Sequence, residues 1–161
     1  MRIVLAQQYP YETDKFPGGV HTAGYYLARG LQAMDDVDVR VLTVSGQAPQ
    51  DMDRVDDGLR VRFLSEPKVR VIPNMTRNIR RLVGNLREFA PDLVNANLVI
   101  YAVAGVRSGI PTIFTVHGVI HKEAQVWTKP LDRIRYALYM RYDREAMAGV
   151  KHIIATSPYV V

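Results

Sequence analysis

The sequence predicts an α/β domain built on a doubly wound parallel sheet with helices on both faces. Two observations carry the prediction. Short apolar or β-branched runs alternate with segments of helical periodicity along nearly the whole chain, the order that parallel strands joined by crossover helices require. Polar, mostly uncharged residues also gather where each apolar run stops: Gln7 to Tyr9, Thr43 to Ser45, Asn95 to Asn97, Thr115 to Gly118 and Ala155 to Ser157. Open parallel sheets bind ligands beyond the carboxyl ends of their strands. That rim suits a ligand rich in hydroxyls better than a metal or a redox cofactor.

The elements follow in order. Arg2 to Gln7 is the first strand, and a polar loop leads to Pro17-Gly18-Gly19 and a helix over Val20 to Met34. Adjacent glycines at a helix start let a ligand approach the backbone, whose free N–H groups favour an anion; a plain turn into a helix is the alternative. Asp38 to Val44 is the second strand, and Ser45 to Gly58, rich in Asp, Gln, Gly and Pro, reads as a loop. Leu59 to Leu64 alternates as a strand does. Beyond Pro73, with Asn74 or Thr76 available as a cap, Ile79, Leu82, Val83, Leu86 and Phe89 fall at helical spacing. Pro91-Asp92 ends that helix before the strand Leu93 to Asn97. The short apolar helix Leu98 to Arg107 is stopped by Ser108-Gly109-Ile110-Pro111, and Thr112 to Val116 is a β-branched strand running into His117-Gly118. Leu131 to Ala148 is a long amphipathic helix that Gly149 closes as a C′ residue; Tyr136, Tyr139, Met140 and Tyr142 pack inward by default, a dimer or domain contact being the alternative. His152 to Thr156 is a last strand, and Ser157-Pro158 opens one more helix.

Length and composition narrow the function. The 161 residues suit one domain, 1–161, and 48% hydrophobic with 23% charged residues is ordinary for a globular protein. There is no cysteine, hence no disulfide framework and no thiolate metal site. Met1-Arg2 enters a strand directly with no leader pattern, and the longest apolar run, Leu98 to Val106, is too short for a bilayer, so a cytoplasmic location is expected. His117 and His121 stand four apart with no acidic residue between them, so no metal is expected. A Gly-x-Ser-x-Gly elbow, a Walker loop and a dinucleotide fingerprint are all lacking. The net charge of +5 concentrates in Arg60, Arg62, Lys68, Arg70, Arg77, Arg80, Arg81 and Arg87, opposed between positions 60 and 88 by Glu66 and Glu88. Such a face is either a solvated helix side or a surface for anionic lipid or phosphorylated ligands; with no recognition motif or interleaved aromatics, nucleic acid is not expected.

The succession of motifs resembles the N-terminal half of a GT-B glycosyltransferase of the retaining family 4. It comprises the Met-Arg-Ile opening strand, Tyr9-Pro10, Gly18-Gly19 with a helix reaching Leu31, Val39 to Thr43, Pro91-Asp92-Leu93-Val94, Gly109-Ile110-Pro111, Thr115-Val116-His117-Gly118 and Ile153 to Ser157. The resemblance spans the chain and implies a Rossmann-like acceptor-binding domain. A second domain, absent from this chain, would hold most of a nucleotide-sugar donor, with no tightly bound cofactor. It implies that Gly18 and Gly19 lie near the donor diphosphate or the acceptor, and that His117 hydrogen-bonds the transferred sugar, a buried and satisfied core histidine being the alternative. Tyr9, Lys15, His21, Asn97 and Lys122 are then candidates for acceptor contact. Asn95 and Asn97 stand where many relatives carry histidines; both can hydrogen-bond a sugar but neither can act as a base. Retention in the family needs no carboxylate nucleophile, in keeping with a rim that lacks paired carboxylates. The implied partners are a sugar or lipid-linked acceptor in cell-surface polysaccharide synthesis, a nucleotide sugar, and an anionic membrane touched peripherally from the inner face. Ending at Val161, the chain is expected to be inactive by itself. A phospholigand-binding or scaffold module, half of a two-chain transferase and a GT-B epimerase are the alternatives.

Overall fold

The computed structural model describes residues 1–13, 15–66, 73–118 and 130–157. Its strands are β1 (Arg2–Ala6), β2 (Asp38–Ser45), β3 (Met52–Asp56), β4 (Leu59–Ser65), β5 (Leu93–Ala96), β6 (Thr112–Val116) and β7 (His152–Ala155). Its helices are α1 (Gly19–Gln32), α2 (Pro73–Phe89), α3 (Val99–Ser108) and α4 (Pro130–Gly149). They form one sheet of order β3-β4-β2-β1-β5-β6-β7. All neighbours are parallel except β3 and β4. β1 lies between β2, in the register Ile3 to Val39, and β5, in the register Ile3 to Leu93. From β1 the chain winds outward on one side and then crosses to β5 on the other. The switch in strand order therefore falls between β1 and β5, where parallel sheets open a crevice at their carboxyl ends.

Alternation along the strands divides the interior into two cores, as period-2 geometry dictates. Ile3, Leu5, Val39, Val41, Val61 and Phe63 face α1, packing with Ala28, Tyr25 and Leu31. Val4, Ala6, Leu42, Leu64, Val94 and Phe114 face the opposite side, against Ile79, Leu82 and Leu86 of α2, the apolar α3, and Tyr142 and Ala146 of α4. α3 is buried over most of its length because the sheet and both neighbouring helices surround it. Gly109 ends it in the left-handed conformation at φ 78°, its N–H on Val106 O. Of the tyrosines on α4, Tyr142 is buried, whereas Tyr136, Tyr139 and Met140 are half-buried.

Three expectations are corrected. The loop expected over Ser45 to Gly58 contains β3, which forms a hairpin with β4. Its inward positions are Met52, Arg54 and Asp56, so charge hides the strand pattern. Arg54 Nε meets Asp56 Oδ1 at 2.6 Å, and the guanidinium lies over the rings of Phe63 and Tyr11. Asp57 and Gly58 turn the hairpin with φ of 46° and 86°, the pairing that a tight two-residue turn selects. Gly149 is the last residue of α4 rather than a left-handed cap; an added Cβ would overlap the Val106 side chain, so the glycine lets α4 approach α3. Thr76 does not cap α2, because it lies inside the helix, which begins at Pro73; its hydroxyl shares a 2.9 Å hydrogen bond with Tyr142 OH. The helix expected from Ser157-Pro158 lies outside the described residues from position 158.

Arg29 holds the hairpin turn to α1. Its Nη1 donates to Asp56 O and Asp57 O at 3.0 and 3.2 Å, and its Nη2 donates to Asp57 Oδ2 at 2.7 Å. The Asp57 carboxylate is exposed and adds little, while the backbone carbonyls gain a partner that water would otherwise supply. Arg29→Ala is expected to lower stability by about 1–2 kcal/mol in urea unfolding, with the fold kept.

Candidate functional site

The switch point is occupied by amides. Gln7, directly after β1, is fully buried; its N–H bonds Leu42 O at 3.1 Å, extending the ladder one residue past the strand. Asn97 does the same after β5, its N–H on Ala6 O at 3.1 Å. The side chains meet: Asn97 Nδ2 donates to Gln7 Oε1 at 3.0 Å, and Gln7 Nε2 donates to Gly24 O of α1 at 2.8 Å. Position 24 must be glycine for this, since a Cβ there would lie 2.9 Å from Gln7 Cδ and Nε2. Asn97 Oδ1 is buried and has no hydrogen-bond partner among the described residues. Asn95 is already engaged, its Oδ1 accepting from Thr115 Oγ1 at 3.1 Å.

His117 follows β6, the strand beside β5. Its ring is half-buried, and its Nε2 is buried with no hydrogen-bond partner among the described residues. Burial holds its pKa below the ordinary 6.5, so the ring is neutral at pH 7 and can offer one donor and one acceptor. His21, half-buried in the first turn of α1, is shifted the same way by the same cause. A group of this kind makes stability depend on acid. Between 6.5 and the native pKa the unfolded chain binds a proton that the native chain does not, so stability falls as pH falls through that interval and is level above it. An NMR titration of His117 is expected to give a midpoint below 6.5, and the unfolding midpoint in urea to decline once pH drops under that value.

Gly18 and Gly19 are exposed, with nothing within 4 Å of an added Cβ. Gly18 has φ 175°, extended backbone open to any residue, and no side chain caps α1. Neither packing nor conformation within the chain calls for a glycine at position 18, and open space lies above both. Tyr9 is buried between the rings of Tyr25 and Phe63, centroids at 5.9 and 6.3 Å, with its hydroxyl unpartnered among the described residues. Burial pushes that phenol well above its ordinary value of 10.0, so it stays protonated. Lys15 is exposed and pairs with Glu12 at 2.8 Å. His121 and Lys122 lie outside the described residues. Among the described residues no group of three or more His, Cys, Asp or Glu could hold a metal.

The structure thus brings Asn97 against Gln7 at the switch point, sets His117 on the adjacent strand end, and packs α1, which Gly18 and Gly19 introduce, onto Gln7. Gln7 is the residue that motif reading leaves out, although it belongs to the polar rim; its signal is a carboxamide directly after a fully apolar strand.

Three residues of the basic stretch, Arg60, Arg62 and Arg81, are paired with carboxylates. Arg60 pairs with Asp38 at 2.9 Å, and Arg62 with Asp53 at 2.7 Å and Glu88 at 3.2 Å. Arg81 pairs with Asp51 and donates to Ser65 O, and Arg87 donates to Arg107 O. Arg77 and Arg80 of α2 are exposed with no partner among the described residues, while Lys68 and Arg70 lie outside them. No described helix is long and apolar enough to cross a membrane.

An open, mostly parallel sheet with hydrogen-bonding side chains at its switch point defines a Rossmann-like α/β domain, and the structural neighbours make it one half of a GT-B fold. The chain belongs to glycosyltransferase family 4, whose profile matches residues 17–161. Among solved structures it is similar to a sucrose-phosphate synthase from Thermosynechococcus elongatus, with TM-score 0.68, 14% identity, 98% of this chain and 42% of that one covered. It is also similar to a UDP-GlcNAc 2-epimerase from Neisseria meningitidis bound to UDP-GlcNAc, with TM-score 0.57, 13% identity, and 100% and 48% covered. A lipopolysaccharide outer core galactosyltransferase, WaaB, in apo form gives TM-score 0.59 at 12% identity, with 99% and 40% covered. The chain therefore spans less than half the length of each of these proteins. At such identities the likeness concerns the fold. No curated protein matches the sequence.

Proposed function

We propose that this chain is the acceptor-binding domain of a retaining glycosyltransferase that moves a sugar from a nucleotide-sugar donor to a saccharide or lipid-linked acceptor. One observation carries the reading: Asn97 Oδ1 and His117 Nε2 are buried on adjacent strand ends with nothing to bond among the described residues. Buried polar atoms left without a partner are costly, and a bound ligand that hydrogen-bonds them removes the cost. His117 would hydrogen-bond the transferred sugar. Asn97, with Tyr9, Lys15, His21 and Lys122, would meet the acceptor. The backbone N–H groups after Gly18 and Gly19 would face the donor diphosphate. The acceptor oxygen bonds to the anomeric carbon as the bond from that carbon to the diphosphate breaks, and the acceptor's proton passes to the departing phosphate on the same face. The ends of β1, β5, β6 and β7 carry no carboxylate to serve as nucleophile or base, so the domain's part is positioning and charge stabilisation. The nucleotide sugar would be held mainly by a second domain.

The test is an assay of the full-length enzyme, recovered from its source cells with an antibody raised against this chain and supplied with nucleotide sugars. Acceptor-dependent release of nucleoside diphosphate, with the anomeric configuration kept, is expected. Epimerised nucleotide sugar without any acceptor requirement would overturn the reading in favour of the epimerase chemistry seen in one of the structural neighbours. The unpaired Arg77 and Arg80 mark the part of α2 that would lie against an anionic membrane. Arg77→Glu with Arg80→Glu is expected to weaken sedimentation with anionic vesicles by at least about thirtyfold, as roughly 1 kcal/mol for each of the two basic residues implies. Unchanged sedimentation would remove the membrane from the reading. Arg81 is left intact, because its pairing with Asp51 is structural.

A further inference from the structure

The Gly24 carbonyl sets the direction of the hydrogen bonds across the switch point. A carbonyl only accepts, so the Gln7 atom facing it at 2.8 Å must be Nε2. Gln7 Oε1 then faces Asn97, and the atom of Asn97 that meets it at 3.0 Å must be the donor Nδ2. What remains to Asn97 is the second N–H of Nδ2 and Oδ1, the latter buried and unpartnered among the described residues. Turning the Asn97 amide over would set its oxygen against Gln7 Oε1. Turning both amides would set Gln7 Oε1 against Gly24 O. Each alternative buries two facing acceptors, because Gln7 is 0% and Asn97 3% exposed.

We propose that Gln7 is a positioning residue that locks Asn97 with the acceptor Oδ1 as its unpartnered atom, and that this point of the site therefore takes a hydroxyl donor of a polyol or sugar in preference to a dianionic phosphate, which has no proton to give it. The inference rests on the reading of the switch point as a ligand site and adds its polarity. It divides the crevice: a sugar hydroxyl is read at Asn97 Oδ1, while anionic oxygens are better served by N–H donors with no unpartnered acceptor beside them. A dianionic phosphate at Asn97 would bring acceptor against acceptor in a buried place.

NMR of the isotopically labelled chain tests this. In the unmodified protein, the Asn97 side-chain N–H groups are expected to exchange with deuterium slowly; exchange as fast as that of a free asparagine would overturn the lock. Methyl glucoside and methyl mannoside are expected to shift both the Asn97 carboxamide carbon and the His117 ring. Inorganic phosphate, at a pH where it is dianionic, is expected to leave Asn97 unmoved. In Gln7→Leu the sugar affinity read at Asn97 is expected to fall about tenfold, the loss of one buried, oriented hydrogen bond. Gln7→Glu keeps an oxygen toward Asn97 in either protonation state and is expected to restore the response even if it lowers stability, which a merely structural role would not produce. Sugar shifts unchanged in a folded Gln7→Leu, or an Asn97 response to phosphate equal to that to sugar, would overturn the proposal while the ligand site stands. No response to either glycoside at Asn97 or at His117 would overturn the ligand site and the proposal together. If Gln7→Leu does not fold, the exchange rate and Gln7→Glu still decide.

Discussion

Gly105→Ala is expected to destabilise the protein by about 2–3 kcal/mol, a large part of the 5–15 kcal/mol typical of a domain. A methyl group on α3 at this position would overlap Thr112 Oγ1 and stand 2.8 Å from its Cγ2. Thr112 cannot step aside. It is 2% exposed at the start of β6, it is β-branched, and its hydroxyl already donates to Ile110 O at 2.8 Å. Moving α3 instead meets α4, where Gly149 already touches Val106 so closely that a Cβ there would overlap as well. The helix is thus wedged between sheet and helix by glycines on two sides. Alanine's better helix propensity returns about 1 kcal/mol, less than the strain and the disturbed hydrogen bond take away. Gly84→Ala on the exposed side of α2 separates the two effects. Nothing lies within 4 Å of its Cβ, so only propensity acts and a gain of about 0.5–1 kcal/mol is expected. Urea unfolding of both variants checks the signs. Thr112→Ala removes the two obstructing atoms, so combining it with Gly105→Ala is expected to be less harmful than the sum of the single changes.

How much of this could be read from the chain depends on how local each cause is. β1, β2, β4, β5 and β6 begin and end within a residue or two of the runs read from the sequence. β1 is apolar because it is buried on both faces, and β2 and β4 show the strand period of two, with Arg40, Arg60 and Arg62 at the less buried positions. β3 escapes that rule. It is an edge strand whose inward side is filled by Arg54 and Asp56, and their neutralisation by each other and by two aromatic rings is a tertiary fact. The basic stretch fails in the same way. Between positions 60 and 88 the sequence shows two glutamates, of which Glu88 pairs with Arg62, but the other counter-charges are Asp38, Asp51 and Asp53, brought in across β2 and the β3 hairpin. The Gly149 case is subtler: glycine at a helix end reads as a turn former, and only the nearness of Val106 shows that room is the reason.

The site divides along the same line. Its place was legible, since polar residues after apolar strands mark the carboxyl rim and strand order then selects β1 and β5 as the point of opening. Its polarity was not. Which end of the Asn97 amide is free follows from a carbonyl on α1, relayed through Gln7, three positions separated by 17 and 90 residues along the chain. A motif that names Asn97 cannot say whether it gives or takes a hydrogen bond.

For His117 the expected result is a loss of turnover without a loss of fold. In the transferase proposed above, His117→Ala is expected to lower kcat about 100-fold, the scale of removing a polar group that acts mainly at the transition state. The argument starts from what the ring does not do. Its buried Nε2 has no hydrogen bond to lose among the described residues, and its neutral state, kept by burial, spares the fold a buried charge. Truncation therefore removes little that holds β6 in place, and the thermal midpoint is expected to move by no more than a few degrees. A hydroxyl of the transferred sugar would gain that nitrogen as a partner, and the bond would strengthen as positive charge builds on the ring and its hydroxyls grow more acidic. Such a bond stabilises the transition state more than bound substrate, so kcat should fall while KM for the donor changes little. Asn97→Ala gives the contrast. An acceptor contact made equally in both states would raise KM for the acceptor and leave kcat nearly intact. If His117→Ala instead lowered the thermal midpoint sharply with kcat preserved, the ring would be a packing element of the strand end, and the hydrogen bond to the moving sugar would have to come from another residue.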